Sequence, residues 1–396
     1  MKVAIMGRGT ASIITALVLI SRGHSVEIYY DPERDHLSIG ESTTAHIGRL
    51  IYDVLGISIA DLEDEGVVSF KTGVKFVGWG KSESFKHNFI FNDLAFHLDT
   101  NKFNSYIHSI LERRGIVRYY PTKIDDYQIE KDYIQLDKSK YDFVVDCSGW
   151  DDDNCYLKPS FPTVNSALVY QREIPDLDQT FTHHIATKDG WEFGLPFPNE
   201  KKIKCGYLFD SHLTSEKSAK KNAGVKDCRI VKWTPRYRKQ LIDNPFVAYN
   251  GNKLFFIEPL QALSLMYYKI FAEYICDFLD SDRSGDSMIK SNYNYNYDIW
   301  AYQLSLAFHY KYGSEYNSEF WRTIVNRCQS FFGTTVNGND EIFLNNLVFD
   351  MKDVKENNLS KIGVFDWRDS LRLYCGFNNI KMEDFFLSLG GMGATS

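Results

Sequence analysis

Three apolar segments near the N-terminus have the pattern of a strand, a helix and a second strand. Lys2–Met6 is a short apolar run, and residues 11–22 form a longer apolar stretch that a glycine ends. Residues 25–30 are again apolar and are closed by Asp31-Pro32. Glycine and proline at these places are typical boundaries of helices and strands. The pattern predicts the first strand–helix–strand unit of a dinucleotide-binding fold.

Two later apolar runs predict further strands of the same sheet. Residues 141–146 are apolar and lead into the small residues Cys147-Ser148-Gly149. Residues 253–259 are also mostly apolar and precede a helical pattern from about residue 263 to residue 279. Buried parallel strands have such continuous apolar runs. We therefore predict that both segments join the N-terminal strands in one nucleotide-binding sheet.

The pattern differs in the rest of the chain and predicts additional regions. Residues 66–98 and 161–245 alternate between apolar and polar positions, which predicts an inserted β-sheet region. Residues 281–389 have a helical, aromatic-rich pattern, and residues 390–396 are expected to be a flexible tail. The discontinuous nucleotide-binding core is then formed by residues 1–65, 99–160 and 246–280.

Composition narrows the class of protein. The 28 Phe, 25 Tyr and 7 Trp favour a large cavity with flat walls or a thick core. A net charge of -7 and the lack of a Lys/Arg run argue against nucleic acid and membrane partners. The 7 scattered cysteines form no C-x-x-C pair, which predicts reduced thiols, a cytoplasmic location and no metal site.

A glycine-rich turn follows the first strand and suggests a phosphate site. Gly7-x-Gly9-x-x-Ser12 departs from the G-x-G-x-x-G fingerprint at its third position, where serine is still small enough for close helix–strand packing. The N-terminus of the following helix offers free N–H groups to a pyrophosphate. The acid expected at the end of the second strand is displaced, because Tyr30 lies there and Asp31 follows.

The segment from residue 70 to residue 79 carries a candidate for chemistry. Strict alternation would place Lys75, Val77 and Trp79 on one face of a strand. A lysine beside a tryptophan on an apolar strand is a snorkelling edge residue or an amine kept from water for a reaction. The segment alone leaves both readings open.

Taken in order, these motifs resemble the flavin-dependent tryptophan-type halogenases from the N-terminus to about residue 377. The remaining elements that carry the resemblance are Gly40-Glu41-Ser42-Thr43, His97-Leu98-Asp99, Asp146-Cys147-Ser148-Gly149, Trp191-Glu192-Phe193-Gly194-Leu195-Pro196, Phe308-His309-Tyr310 and Glu319-Phe320-Trp321-Arg322. Outside this context the Gly40 segment would be only a turn with a helix cap. The short chain is similar to viral members, which would place the protein in the cytoplasm of a host.

The resemblance implies a fold, cofactors and partners. The expected fold class is mixed α/β (α+β): an FAD-binding dinucleotide fold of the flavin monooxygenase type, an inserted sheet and a C-terminal helical subdomain on the substrate side. FADH2, O2 and a halide ion would give hypohalous acid. Lys75 would then deliver the halogen to a small electron-rich aromatic substrate. The chain has no second nucleotide fingerprint, so a separate NAD(P)H-dependent flavin reductase would supply FADH2. The resemblance leaves open whether the protein forms a homo-oligomer.

The resemblance also assigns roles to residues. The residues expected to contact FAD are Gly7, Gly9, Thr10, Ala11, Ser12, Tyr30, Asp31, Gly40, Glu41, Ser42, Thr43, Ser148, Gly149, Asn252 and Pro259. The backbone N–H groups of Leu263 and Ser264 would hold the halide. The substrate side would be formed by His97, Trp191, Phe193 and Pro196, although His97 is equally well explained as a hydrogen-bonded core histidine. Lys75 and Gln261 take the two catalytic positions.

The chain departs most from the family in the loop that the family writes P-L-E-S-T-G. Here it reads Pro259-Leu260-Gln261-Ala262-Leu263-Ser264, so Gln261 replaces the family carboxylate. This leaves open how the lysine is oriented and how the arene loses its proton. Ala262 and Leu263 make the loop less polar, which penalises the strongly hydrated chloride and favours bromide or iodide. The short chain also favours relaxed substrate scope.

Restoring the acid is expected to change the pH dependence of the reaction. Gln261→Glu should raise the pH midpoint of the lysine step, because a nearby anion favours the ammonium form of the amine. Activity–pH profiles of the variant and its parent, measured with the same halide and arene, check this. An unchanged profile would contradict the expectation.

Two other functions stay open from the sequence. A flavin monooxygenase shares the flavin motifs but has no need of Lys75 or of residues 191–196, and it would give hydroxylated products without halide. A flavin-binding protein that has lost catalysis, which Gln261 could indicate, would bind flavin and give no product.

Overall fold

The computed structural model describes residues 1–34, 41–89, 95–150, 155–173, 178–260, 262–335, 361–362 and 365–384. Gly40, Gln261 and the predicted tail at residues 390–396 lie outside the described residues. Within them the chain is a mixed α/β protein, which confirms the predicted fold class.

The elements are numbered in chain order. The strands are β1 Lys2–Met6, β2 Ser25–Tyr29, β3 Glu41–Ser42, β4 Val68–Lys71, β5 Gly73–Val77, β6 Ser84–Asn88, β7 Ala95–Leu98, β8 Val117–Tyr120, β9 Gln128–Ile129, β10 Ile134–Leu136, β11 Ser139–Tyr141, β12 Phe143–Asp146, β13 Tyr156–Leu157, β14 Ser166–Glu173, β15 Phe181–Thr187, β16 Gly190–Phe197, β17 Lys202–Phe209, β18 Arg229–Lys232, β19 Arg236–Arg238, β20 Ile242–Asn244, β21 Val247–Tyr249, β22 Phe255–Phe256, β23 Lys361–Ile362 and β24 Phe365–Asp366. The helices are α1 Thr10–Ser21, α2 Ala45–Leu55, α3 Ile59–Asp64, α4 Thr100–Arg113, α5 Glu216–Ala223, α6 Ser264–Leu279, α7 Gly285–Tyr310, α8 Glu319–Thr335 and α9 Trp367–Asn378.

A six-stranded sheet forms the first layer, in the order β20-β21-β12-β1-β2-β8. All of its neighbouring strands are parallel except β20 and β21. The helix α1 packs against this sheet and against α6, so its apolar residues are buried on nearly every side. The carboxyl ends of β1, β2 and β12 lie at one edge, where open parallel sheets bind their ligands.

The prediction that residues 253–259 belong to this sheet is wrong. β21 takes that place beside β12, with Val247 opposite Val144. Residues 251–253 form a 3₁₀ turn instead, and β22 pairs with β19 in a separate three-stranded sheet with β13. The three residues of β21 are all buried, but so short an apolar run gives little signal in the sequence.

The segment that contains Lys71 and Lys75 is divided between two further sheets. A seven-stranded sheet has the order β18-β14-β17-β16-β15-β5-β6, and a three-stranded sheet has the order β3-β7-β4. Thr72 separates β4 from β5, and its N–H donates to the carbonyl of Thr180. As a result Lys71 ends a strand of the small sheet, whereas Lys75 lies in the large one.

The predicted common face of Lys75 and Trp79 is also wrong. The strand β5 ends at Val77, and Gly78 has a φ of 71° that breaks the alternation. Trp79 therefore turns into the core, where its ring lies 5.9 Å from the ring of Phe76. Phe76 and Lys75 are neighbours on opposite faces of β5, so the tryptophan is on the side away from the lysine.

Helices α7 and α8 pack against each other, and α9 packs against β6 of the seven-stranded sheet. None of the described helices combines the length and the apolar character that a membrane span requires. Within the same residues, no group of three or more His, Cys, Asp and Glu side chains is placed to hold a metal ion.

Candidate functional site

The larger of two adjoining cavities, about 730 Å³ in volume, opens at the carboxyl ends of β1, β2 and β12. Its lining contains many of the residues that the sequence assigned to FAD. They are Gly7, Gly9, Thr10, Ala11, Tyr30, Asp31, Glu41, Ser148, Gly149 and Asn252. The structure thus brings together positions that are up to 245 residues apart in the chain, Gly7 and Asn252.

The turn between β1 and α1 is held by close backbone packing. Gly7 has a φ of 113°, and a Cβ atom there would lie 2.5 Å from the carbonyl oxygen of Cys147. Gly9 caps α1 and has open space where a Cβ would be, on the cavity side. Ser12 does not line the cavity; its hydroxyl donates to the Gly9 carbonyl at 2.7 Å and closes the turn. The first N–H groups of α1 are therefore presented at the cavity.

This cavity fits FAD. The N-terminus of α1 would hold the pyrophosphate, because helix N-termini favour anions. Tyr30 and Asp31 at the end of β2 would hold the adenosine end, and the Arg8 guanidinium lies 4.6 Å from the Tyr30 ring. Glu41 has a buried Oε2 with no hydrogen-bond partner among the described residues, so an acceptor is left for a ligand. Burial raises the pKa of Glu41 to about 7, despite a hydrogen bond from Thr10.

The smaller cavity has a volume of about 120 Å³ and a mostly apolar wall. Phe193, Leu195 and Leu208 contribute to that wall, and His184 is one of its polar side chains. The two cavities share the lining residues Glu41, Trp150, Asn252 and Tyr268, so they meet at these side chains.

Lys71 is the buried amine of this region. Its side chain is 2% exposed, and Nζ donates to Ser42 Oγ at 2.7 Å and to the Thr43 carbonyl at 3.3 Å. No carboxylate in the described part of the chain forms an ion pair with it. Burial lowers the pKa of Lys71 to about 7. Because Ser42 lines the smaller cavity, the amine is one hydrogen bond away from that cavity.

Lys75 does not have the environment that the sequence suggested. Its Nζ lies 2.7 Å from Asp178 Oδ2, and its side chain is 28% exposed. Asp178 also accepts from Lys86 on the neighbouring strand. An amine that lies partly exposed in an ion pair with a carboxylate is poorly placed to act as a nucleophile. The correction follows from the strand break at Thr72, which alternation alone does not reveal.

His97 is a core histidine, the second of its two expected roles. It is fully buried, its Nε2 lies 2.9 Å from Thr182 Oγ1, and its Nδ1 lies 3.4 Å from Ser69 Oγ. Ser69 in turn donates to the carbonyl of Pro196 at 2.5 Å. Burial, with the charge of Lys71 as a second cause, holds the pKa of His97 well below its usual value.

The other assigned residues are divided between the cavity wall and the protein interior. Phe193, Pro259 and Ser264 line the smaller cavity. Trp191 is fully buried behind it, with its ring 4.9 Å from that of His184. Thr43 is buried as well, and its hydroxyl accepts from the N–H of Phe96 at 3.0 Å. Leu263 is buried just before α6. The first N–H groups of a helix lack intrahelical acceptors, so this end of α6 has donors for an anion.

Lys71 should make stability depend on pH in a defined direction. Its pKa falls from 10.5 to about 7 on folding, so between these values the unfolded chain binds a proton that the folded chain does not. The free energy of unfolding should therefore rise with pH over this range, relative to Lys71→Met. Urea unfolding of both proteins at several pH values between 6 and 10 measures the difference. A difference that stays constant would show that Lys71 is not desolvated.

Comparison with known proteins identifies the family of the chain. The family model described as tryptophan halogenase matches residues 2–94 and 91–330. By sequence the chain matches none of the curated proteins compared with it.

Solved structures show the same fold. A tryptophan halogenase from Shewanella frigidimarina NCIMB 400 is 17% identical, with 98% of this chain and 92% of that chain covered and a TM-score of 0.76. BrvH, a flavin-dependent halogenase from Brevundimonas sp. BAL3, is 19% identical, with 96% and 90% covered and a TM-score of 0.74. MibH, a tryptophan 5-halogenase, is 19% identical, with 83% and 76% covered and a TM-score of 0.72. The chain belongs to the tryptophan halogenase family and is a flavin-dependent halogenase.

Proposed function

We propose that this halogenase uses FADH2, O2 and a halide ion to halogenate a small electron-rich arene, and that Lys71 carries the halogen. The observation that supports this most directly is the position of the Lys71 amine. It is buried, it has no carboxylate partner among the described residues, and it lies one hydrogen bond from a cavity that adjoins the flavin cavity. Lys75, held by Asp178, has none of these properties.

Hydrogen bonding around Lys71 suits a nucleophilic amine. A neutral amine has two N–H donors and one lone pair. Ser42 Oγ and the Thr43 carbonyl accept two hydrogen bonds from Nζ, which leaves the lone pair for an electrophile. A charged ammonium would have a third donor to satisfy in a site from which water is excluded. The partners of Lys71 therefore agree in number with the neutral form.

Bound FADH2 and O2 would together supply the oxidation of halide to hypohalous acid: O2 is the oxidant, one of its oxygen atoms would enter the acid and the other would leave as water, and the flavin would be left as FAD. The Lys71 lone pair attacks the halogen of that acid, so a nitrogen–halogen bond forms and the halogen–oxygen bond breaks. The released hydroxide takes one proton from the amine and leaves as water. An arene in the smaller cavity then attacks the halogen on Lys71, which is electrophilic substitution.

The smaller cavity favours a single aromatic ring as the reacting group. Its volume is about 120 Å³, and an apolar protein cavity of about 150 Å³ is known to bind benzene. Ala262 and Leu263 leave few polar side chains near the start of α6, so we propose bromide or iodide over chloride. A separate NAD(P)H-dependent reductase in the cytoplasm would supply FADH2.

The test is a halogenation assay. The protein is incubated with FAD, a flavin reductase, NADH, air and one halide at a time, over a panel of one-ring and two-ring electron-rich arenes. We expect mass spectrometry to show halogenated one-ring products that need halide, with bromide or iodide ahead of chloride. Equal turnover of all three halides would contradict the halide preference. Hydroxylated products in the absence of halide would indicate a monooxygenase, and flavin binding without product an inactive flavoprotein.

A further inference from the structure

The arene must lose a proton after it takes the halogen, and the family position for a carboxylate is occupied by Gln261. Three buried histidines lie near the small cavity on strands of two different sheets: His97 on β7, and His183 and His184 on β15. Both ring nitrogens of His97 have hydrogen-bond partners. His183 faces the other side of β15, where its Nε2 lies 3.1 Å from the carbonyl oxygen of Asp178. Neither of these two has a nitrogen facing the cavity.

His184 has a different environment. It is 3% exposed and lines the cavity, and its Nδ1 is buried without a hydrogen-bond partner among the described residues. The ring is held in place by Trp191 at 4.9 Å and by Phe76 at 5.3 Å. A buried polar atom without a partner is costly and is uncommon in proteins. The His184 imidazole is thus a polar group on the cavity wall whose hydrogen-bonding capacity the described residues do not fill, which points to a role toward the molecule that fills the cavity.

We propose that His184 is the general base of the halogenation, accepting the proton that the arene loses. This inference rests on the proposed function of Lys71. A series of neighbouring side chains connects Lys71 to His184. Ser42 accepts a hydrogen bond from Lys71, the Thr182 hydroxyl lies 3.5 Å from that of Ser42, and His184 follows Thr182 on the same face of β15. Residues two apart on a strand are separated by about 7 Å, so Thr182 and His184 lie side by side on the cavity wall, and Thr182 in turn adjoins Ser42, the partner of the Lys71 amine.

The electrostatics of the site agree with this role. Burial, and next the charge of Lys71, holds the pKa of His184 well below its usual value, so the ring is neutral and ready to accept a proton. A weak base is sufficient, because a halogenated arenium ion is a strong acid. Glu41, the carboxyl at the same cavity, has a pKa set by burial and by a hydrogen bond from Thr10, with no contribution from Lys71. The imidazole is therefore the group that shares its surroundings with the amine.

The proton balance closes within this pair. The ring carbon forms its bond to the halogen while the nitrogen–halogen bond breaks, and that electron pair returns to Lys71. The ring proton moves to the imidazole of His184, and the aromatic system is restored. The imidazolium is disfavoured in a dry site, and the water molecule released when the amine took the halogen passes its proton on to the Lys71 nitrogen. The products are the aryl halide, the free amine and the neutral imidazole.

The test compares His184→Gln with the adjacent His183→Gln in the halogenation assay, using a normal and a ring-deuterated arene. In the parent protein and in His183→Gln, proton loss is expected to be fast, with little isotope effect. His184→Gln should lower kcat by roughly 10²-fold, the usual size of a general base effect, and proton loss should become limiting. A primary isotope effect should then be measured, with KM for the arene little changed. Loss of packing alone would not produce that isotope effect.

A second variant keeps the test decisive if glutamine disturbs the cavity. In His184→Ala, added imidazole should restore turnover, and in Lys71→Met it should not. Flavin binding and thermal unfolding check that each variant is folded. If the parent halogenates and His184→Gln does so at the same rate without an isotope effect, the role of His184 is overturned and Lys71 is unaffected. If the parent gives no halogenated product, it is the proposed function that fails.

Discussion

Lys71→Met is expected to lower the rate of arene halogenation by roughly 10³-fold or more, because it removes the nucleophile that carries the halogen. Methionine keeps most of the volume of the side chain and can remain buried. The matched control is Lys75→Met, four residues along the chain. It should keep most of the activity, because it removes only the contact with Asp178.

The assay can separate loss of halogen transfer from loss of the oxidation that precedes it. In Lys71→Met, FAD should still bind in the larger cavity, and a soluble trap for hypohalous acid should capture more of it than in the parent. Lys75→Met should resemble the parent in both respects. The opposite result, an inactive Lys75→Met beside an active Lys71→Met, would return the catalytic role to the lysine that the sequence motif first suggested.

Gly7→Ala is expected to be the most damaging small substitution at the flavin cavity. The residue has a φ of 113°, and the new Cβ would lie 2.5 Å from the carbonyl oxygen of Cys147. Backbone strain and overpacking each cost about 1–3 kcal/mol, so the free energy of unfolding should fall by about 2–6 kcal/mol. Urea unfolding without added flavin measures this change.

Gly9→Ala is the matched control for that substitution. No atom lies within 4 Å of the position that its Cβ would take. Stability without flavin should therefore change little, whereas FAD affinity should fall, because the methyl group points toward the space assigned to the cofactor. Equal loss of stability in both variants would contradict the packing described for the turn.

The positions that surround the larger cavity could be predicted well from the sequence. The strand Lys2–Met6 has the predicted bounds, and the glycine turn, Tyr30, Asp31 and Gly149 all line the larger cavity. These positions follow from local rules: a short apolar run, glycines where the backbone is close, and strand ends at one edge of a parallel sheet.

The catalytic half depends on contacts that local patterns do not contain. Lys71 and Lys75 differ in their surroundings because the chain changes sheets at Thr72, and the alternation of the segment gives no sign of that change. The sequence does not single out His184, because what distinguishes it is its place on a cavity wall and a ring nitrogen without a partner among the described residues. The one signal available in advance was the rare pair of adjacent histidines in a strand-like segment.

The division of the site between two sheets has a consequence for enzyme engineering. The wall residues Phe193 and Leu195 belong to the seven-stranded sheet, whereas Lys71 belongs to the three-stranded one. Mutant libraries that vary these two wall positions can widen the space for larger arenes, provided that Ser69 and Pro196, whose hydrogen bond joins the two sheets, are kept. Substrate range can then be changed while the hydrogen bonds of the proposed catalytic amine are preserved.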